Sequence, residues 1–391
     1  ALETSCLAIN VTGLVGHGTL RLSTMGPSDV TPTAEQMARM KSLLAQSMDV
    51  GAAGLSTGLI YAPGCFADTR ELIELAGVAG SKGGYYASHI RNEADRIITA
   101  LEEVIHIGRV AQIPVHVSHL KIAGKKNWGL QETAVEKLTA ARAEGIDITC
   151  DVYPYFHSST TILALLPPWS LEGGMASLQP RLKTPRQRER IVGGIKDGIP
   201  GWENMVLHTG LDKIVVSSVQ SRQRNGLVGR SIAQIATAAQ QDPIQVLLDL
   251  VESENGAVSI ITESMNEENM VAFLSLPFAM VGSDGSPNQG RPHPRLYGTF
   301  PRVIRRVVRE LGALSRETAV HKMSGLTARR LGLQKTGILR KGYKADAVLI
   351  DPLTFGDTAT YDHPRRFPRG LLATIVNGEV VIDGENHTDA R

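Results

Sequence analysis

The chain has 391 residues and a formal net charge of +2, from 41 Lys+Arg against 39 Asp+Glu with no long run of either sign. It is long enough to bury a large core, and its charge balance argues against nucleic acid or an anionic membrane as its main partner. Three scattered cysteines, Cys6, Cys65 and Cys150, make no disulfide framework and point to the reducing cytoplasm, and no stretch approaches the ~20 apolar residues of a membrane span.

The chain opens on Ala1-Leu2-Glu3, with no Met and no clear entry into a first element, so a further N-terminal portion is expected upstream. Apolar runs bounded by turn signals predict strands at 9–15, 54–59, 84–90, 114–119 and 146–153. Helices fall between them. Thr33-Ala34-Glu35-Gln36 has the form of a capping box opening a helix to about Met48, and Asp68-Thr69-Arg70-Glu71 has the same form. Over 94–111, Ile97, Ile98, Leu101, Val104, Ile105 and Gly108 share one helical stripe, and a helix over 131–144 stops at Gly145.

Strands alternating with helices in this way predict βα units of a parallel sheet. The strands are apolar throughout, as when both faces are covered. A doubly wound open sheet competes with a closed (β/α)8 barrel; the barrel is preferred because it brings distant strand ends together. From about 160 to 278 the pattern loosens into a long insertion, expected to act as a lid. The barrel would then occupy 1–338 and a small β domain 339–391, where 342–351 and 375–382 read as a strand pair with Asn377-Gly378 near its turn.

Two strands end alike. Tyr85-Tyr86-Ala87-Ser88-His89-Ile90-Arg91 and Pro114-Val115-His116-Val117-Ser118-His119-Leu120-Lys121 both run from apolar residues to Ser-His and then a basic residue. Ala279-Met280-Val281-Gly282-Ser283-Asp284-Gly285 repeats the form with an aspartate. Singly, each histidine is as well read as a core residue bonded to a carbonyl, and Ser-Asp-Gly as a turn. Jointly, His89, His119 and Asp284 point to a metal site at a barrel mouth, and imidazoles on rigid strands suit zinc. His116 is expected to be core or supporting, and His17 either supporting or structural. Cys65 and Cys150 are read as structural, residues 124–129 lack the spacing of a phosphate loop, and the arginines of 302–309 read as the solvated face of a helix.

Ser-His-Ile-Arg-Asn-Glu at 88–93, Ser-His-Leu-Lys at 118–121, Asp-Val-Tyr-Pro-Tyr at 151–155, Gly-Ser-Asp-Gly at 282–285, His-Pro-Arg-Leu-Tyr-Gly-Thr-Phe-Pro-Arg at 293–302 and Gly-Tyr-Lys-Ala-Asp at 342–346 resemble the N-acyl-D-amino-acid deacylase (D-aminoacylase) branch of the amidohydrolase superfamily. The likeness runs from Val15 to Gly378. It implies a TIM-like (β/α)8 barrel with a small β-sandwich domain, in which 9–15 is the third strand. The first two strands, with a His-x-His pair and a bridging cysteine, would lie upstream. It further implies Zn2+ held by His89, His119 and Asp284, with Asp284 as the catalytic base and Lys121, Tyr153, Ser159 and Arg295 contacting the substrate. The implied reaction is hydrolysis of the linear amide of N-acyl-D-amino acids, small-molecule substrates whose D stereochemistry rests on the resemblance alone. Two alternatives stay open. One is a cyclic-amide hydrolase of the dihydroorotase or hydantoinase kind, against which 54–59 offers no bridging lysine; the other is an inactive truncated barrel.

Overall fold

The computed structural model describes residues 7–390; Cys6, expected to be buried, lies outside them. Six strands form one parallel sheet in the order β1 (Val15–Gly16), β2 (Gly54–Gly58), β3 (Tyr85–His89), β4 (Val115–Val117), β5 (Ile148–Val152) and β9 (Ala279–Val281). Helices α1 (His17–Met25) and α2 (Ala34–Asp49) both follow β1, and α3 (Thr69–Ser81), α4 (Ile97–Ala111) and α5 (Gln131–Ala143) follow β2, β3 and β4. This is the β-then-α order of a (β/α)8 barrel, with six strands among the described residues. Leu55, Tyr86, Val115, Ile148 and Ala279 from the strands pack with Leu72, Leu75, Leu101, Val104 and Leu138 from the helices, all fully buried.

Local signals account for most boundaries, and neighbours explain the departures. The capping box at Thr33 closes as expected: Gln36 N–H donates to Thr33 Oγ1 (3.2 Å) and Thr33 N–H to Gln36 Oε1 (2.8 Å). At Asp68 only half the box forms, because the Glu71 side chain turns away to His17 and Arg21. Helix α4 starts at Ile97 rather than 94, since Asn92 Oδ1 accepts from the N–H groups of Ala94 and Arg96 and holds a turn there. The first expected strand, 9–15, shrinks to β1: Ile9 and Val11 are exposed and pair with no strand among the described residues.

Between β5 and β9 the chain builds an antiparallel sheet of β6 (His157–Thr161), β7 (Ile214–Ser218) and β8 (Ser259–Glu263), in the order β6-β8-β7. Helices cover it, and Ile191, Ile195, Ile214, Val216, Leu247 and Ile260 form a second buried core. At the C-terminal end β10 (Ala347–Ile350), β11 (Leu371–Val376), β12 (Glu379–Asp383) and β13 (Asn386–His387) make a four-stranded antiparallel sheet. The expected pairing is present as β10 against β11, but the second stretch is not a single strand. Asn377 (φ 53°) and Gly378 (φ 90°) both have positive φ, as a two-residue hairpin turn requires, so 375–382 folds back on itself as β11 and β12. The arginines of 302–309 are not simply solvated. Arg302 donates to the Pro154 carbonyl (2.7 Å), Arg302 and Arg305 share buried Asp357, and Arg306 forks onto Glu267.

Candidate metal and substrate site

Parallel strands place their carboxyl ends on one side, and the chemistry-bearing residues collect there. His89 is the last residue of β3; His119 and Asp284 follow β4 and β9 by two and three residues. Both His119 (φ 41°) and Asp284 (φ 47°) adopt left-handed backbone, a conformation that non-glycine residues hold only when their surroundings impose it. For His119 the constraint is visible. Its N–H donates to Asp151 Oδ1 (3.0 Å), and His116 bridges Asp151 Oδ2 (2.7 Å) to Thr149 Oγ1 (2.8 Å). A Cβ on Gly282 would overlap the Asp151 carboxylate, so only glycine lets β9 pass this close. His116, expected to be core or supporting, is bonded to the aspartate that holds His119. Asp151, within the quoted Asp-Val-Tyr-Pro-Tyr stretch, is a support that sequence reasoning missed.

His89 Nδ1 and His119 Nε2 lie 3.0 Å apart. Two nitrogens each ~2.0–2.1 Å from one tetrahedral zinc would sit about 3.3 Å apart, so the pair nearly has the bite of a metal site. Burial drives His89 down to about 3, leaving the imidazole neutral, its ligating form. Its Nε2 has no hydrogen-bond partner among the described residues. With Glu93 the two histidines offer ligand atoms within 4.8 Å of one another.

Glu93 was given no role from the sequence, although it closes the Ser-His-Ile-Arg-Asn-Glu stretch. It is buried, and its Oε1 lies 2.6 Å from Lys121 Nζ and 3.0 Å from His119 Nδ1. Lys121 Nζ is also 2.7 Å from His119 Nδ1. Burial raises the Glu93 carboxyl, but His89, Lys121 and His119 outweigh it and hold it below the usual carboxylate range. An imidazole whose second nitrogen faces a carboxylate is the arrangement that orients a metal-binding histidine. The Glu93 backbone is held as well: its carbonyl accepts from Ala123 N–H (2.7 Å), and its N–H donates to the Glu203 carboxyl. Glu203 belongs to the segment between β5 and β9, and burial, with the Glu93 charge, pushes its carboxyl up to about 8.

The four expected substrate contacts surround this cluster. Arg295 is buried on the first turn of the helix Arg295–Arg302. Its Nη2 reaches Asp284 Oδ2 (2.7 Å) and the Ser159 carbonyl (3.3 Å), and its guanidinium lies 4.6 Å from the Tyr153 ring centre. Arg295 Nε and Nη1 and the Tyr153 hydroxyl have no partner among the described residues. Buried polar groups are normally bonded, so several spare donors at one point mark a place where an anionic ligand would be satisfied. A cavity of about 500 Å³ is lined by His89, Glu93, His119, Lys121, Tyr153, Ser159 and Asp284. Arg295 joins it through Asp284, so the seven expected residues border one cavity. The cluster whose ligand atoms lie within 4.8 Å of one another, however, holds Glu93 rather than the expected Asp284, which is paired with Arg295.

Other candidates lie elsewhere. His17 is tied to Glu71 (2.8 Å) beside Arg21, and Cys65 and Cys150 are free thiols outside the His-Glu-His cluster. Residues Lys125–Leu130 form a short 3-10 turn, with Trp128 Nε1 donating to the Ser264 carbonyl.

Residues 229–382 match the Amidohydrolase family. The chain is 35% identical to D-aminoacylase of Alcaligenes xylosoxydans xylosoxydans over 381 residues, covering 97% of this chain and 69% of that protein. It is 35% identical to N-acyl-D-glutamate deacylase of the same organism over 382 residues, covering 98% and 68%. The chain belongs to the D-aminoacylase family of amidohydrolases. A solved member, N-acyl-D-glutamate deacylase from Bordetella bronchiseptica complexed with zinc and a phosphonate inhibitor, superposes with a TM-score of 0.83 at 34% identity, covering 100% of this chain and 72% of that one. A D-aminoacylase crystal structure gives 0.81 at 33%, covering 98% and 70%. No helix among the described residues is long and apolar enough to cross a membrane.

Proposed function

We propose that the protein hydrolyses the linear amide bond of N-acyl-D-amino acids, releasing a carboxylate and a free D-amino acid, with zinc held by His89 and His119 together with Asp284. The observation that carries this reading is the juxtaposition of a converging histidine pair, 3.0 Å between nitrogens, with the spare donors of Arg295. Relatives named for D-aminoacylase, N-acyl-D-aspartate and N-acyl-D-glutamate deacylation, and the zinc complex of one solved member, support it.

The residues present fit the metal: His89 is neutral, His119 is backed by Glu93, and the two converge. When bound, zinc supplies polarisation of the acyl oxygen and a lowered pKa for water. The protein does the rest. Asp284 takes the proton from the attacking water and returns it to the leaving nitrogen. Arg295 grips the α-carboxylate through Nε and Nη1, while its Nη2 keeps Asp284 in place. Tyr153 and Ser159 offer hydroxyls to the substrate, and Lys121 adds positive charge beside it. Residues 160–278, with a core of their own, serve as the lid of a barrel over 1–338, and 339–391 form the small β domain. A small-molecule substrate suits the open cleft, and the scattered cysteines favour the cytoplasm. A cyclic-amide hydrolase is disfavoured because β2, Gly-Leu-Ser-Thr-Gly, holds no lysine to bridge two metals.

The test is zinc content measured beside hydrolysis of paired N-acetyl-D- and N-acetyl-L-amino acids. Near-stoichiometric zinc, lost in His89→Ala with His119→Ala, and turnover of the D series are expected. Unchanged zinc in the double variant, or turnover of the L series alone, would overturn the reading.

A further inference from the structure

We infer that Ser217 and Arg365 are positioning residues: from outside the barrel they clasp the loop that joins Asp284 to Arg295 and so keep Asp284 in reach of its proton. The role rests on the deacylase reading, and neither residue lines the cavity.

After β9 the chain forms no helix or strand until Arg295. From Ser283 to Arg291 every residue is at least partly exposed. The Asp284 side chain is 40% exposed and has Arg295 Nη2 as its ion-pair partner (2.7 Å). A stretch without regular structure or apolar burial opens locally at little cost. A carboxylate that transfers a proton has to stay within hydrogen-bond distance of it. The barrel alone does not meet that need.

Two outside groups do. Ser217 lies in β7 and is 1% exposed. The register between β7 and β8 shifts between Val216 and Ser218, which leaves Ser217 out of the pairing. Its carbonyl and hydroxyl turn to the loop instead. The carbonyl accepts from Arg291 N–H (2.7 Å), and the hydroxyl donates to the Arg291 carbonyl (2.7 Å) while accepting from Asn288 Nδ2 (2.9 Å). Gly290 permits this approach, since a Cβ there would stand 2.1 Å from the Ser217 carbonyl oxygen. Arg365, between β10 and β11, donates through Nη1 to the Gly290 carbonyl (2.6 Å) and through Nη2 to the Asn288 carbonyl (2.7 Å).

The Arg295 end has its own anchor. Buried His293 accepts Arg295 N–H at Nδ1 (3.0 Å), which leaves its Nε2–H to donate to the His157 carbonyl (3.0 Å). Releasing 288–291 therefore frees Asp284 more than Arg295, and the loss falls on kcat rather than on KM. Arg365 is exposed, and an exposed side chain contributes little to global stability, so its removal separates positioning from folding.

The test compares the zinc-loaded wild type with Arg365→Ala, Arg365→Lys and Ser217→Ala on an N-acetyl-D-amino acid that the wild type turns over. Arg365→Ala should lower kcat by ~10–10²-fold with KM and melting temperature little changed, the cost expected of a misplaced catalytic group. Added guanidinium ion should restore part of the rate, and Arg365→Lys should fall between Arg365→Ala and the wild type. Ser217→Ala should lower kcat in the same way. Amides of 285–291 should exchange hydrogen faster in Arg365→Ala, a readout free of turnover. In an Asp284→Asn background Arg365→Ala should cost little more, because both act through one carboxylate. Unchanged kcat or unchanged exchange in Arg365→Ala, or an undiminished loss in the Asp284→Asn background, would overturn the inference and leave the deacylase reading intact. Failure of the wild type on every N-acetyl-D-amino acid would overturn that reading, and the positioning role with it.

Discussion

Replacing Glu93 by Gln keeps the shape of the side chain and removes one charge from the centre of the site. Lys121 Nζ sits 2.6 Å from Glu93 Oε1, and both groups are buried. At that separation, with an effective dielectric of about 20, their attraction is about 6 kcal/mol. Desolvation of both ions offsets much of this in the intact pair, but removing one partner leaves a buried ammonium uncompensated, which costs about 3–5 kcal/mol. The same change alters what His119 Nδ1 faces, 3.0 Å away, and loss of such a supporting carboxylate weakens metal binding about 10–100-fold. Two assays separate these effects. Denaturant unfolding of the metal-free protein should show the stability loss, and competition with a chelator should show the weakened zinc affinity. A double variant with Lys121→Met should recover most of the stability, because the stranded charge is gone, but not the zinc affinity. If Glu93→Gln changes neither quantity, or if the two substitutions simply add in stability, then Glu93 and Lys121 are not a coupled pair and the account of the metal support fails.

Three further outcomes are expected. Asp284→Asn should lower kcat by ~10²–10⁴ with most of the zinc retained, and near-normal turnover would return Asp284 to the status of a turn residue. Arg295→Lys should lower kcat/KM by about 10–10³ on substrates with a free α-carboxylate; substrates capped there as amides should be poor from the outset and insensitive to the change, and equal harm to both would make Arg295 structural. Glu203, raised by burial from its ordinary 4.5 to about 8, keeps in the folded state a proton that the unfolded chain releases near its ordinary value. Its contribution to stability therefore falls as pH rises between those limits; Glu203→Gln should remove that loss, so that the variant gains on the wild type in melting temperature from pH 5 to 8, and parallel pH profiles would refute the assignment.

What the sequence disclosed and what it concealed divide along contact distance in the chain. The parallel strands, the helices behind them and the Ser-His endings at 89 and 119 are legible because each is written in a run of adjacent residues whose periodicity or spacing reports burial. The capping box at Thr33 is of the same kind. The half-formed one at Asp68 marks the limit: the local signal for Glu71 was correct in type, but its carboxylate is drawn to His17 and Arg21, which lie 54 and 50 residues back and are fully buried. A buried guanidinium without a carboxylate would cost more than one backbone cap supplies, so the tertiary pair prevails.

The same ordering of energies explains why the supporting half of the site escaped notice. Asp151 sits in a quoted motif, yet its task, holding His119 in left-handed backbone while bonded to His116, depends on partners 32 and 35 residues away. Glu93 stands four residues after His89, but its significance comes from Lys121, 28 residues on, and from Glu203, 110 residues on. A carboxylate in a strand-end loop reads as solvated surface until the fold buries it, and burial is what gives it consequence: in water the Glu93–Lys121 attraction would be worth about 1–2 kcal/mol, and at the barrel mouth several times that. The residues that touch substrate or metal must sit at fixed places on rigid strands, and so leave a local mark. Those that hold them in place need only arrive from somewhere, and the long segment between β5 and β9 is where Glu203 arrives from.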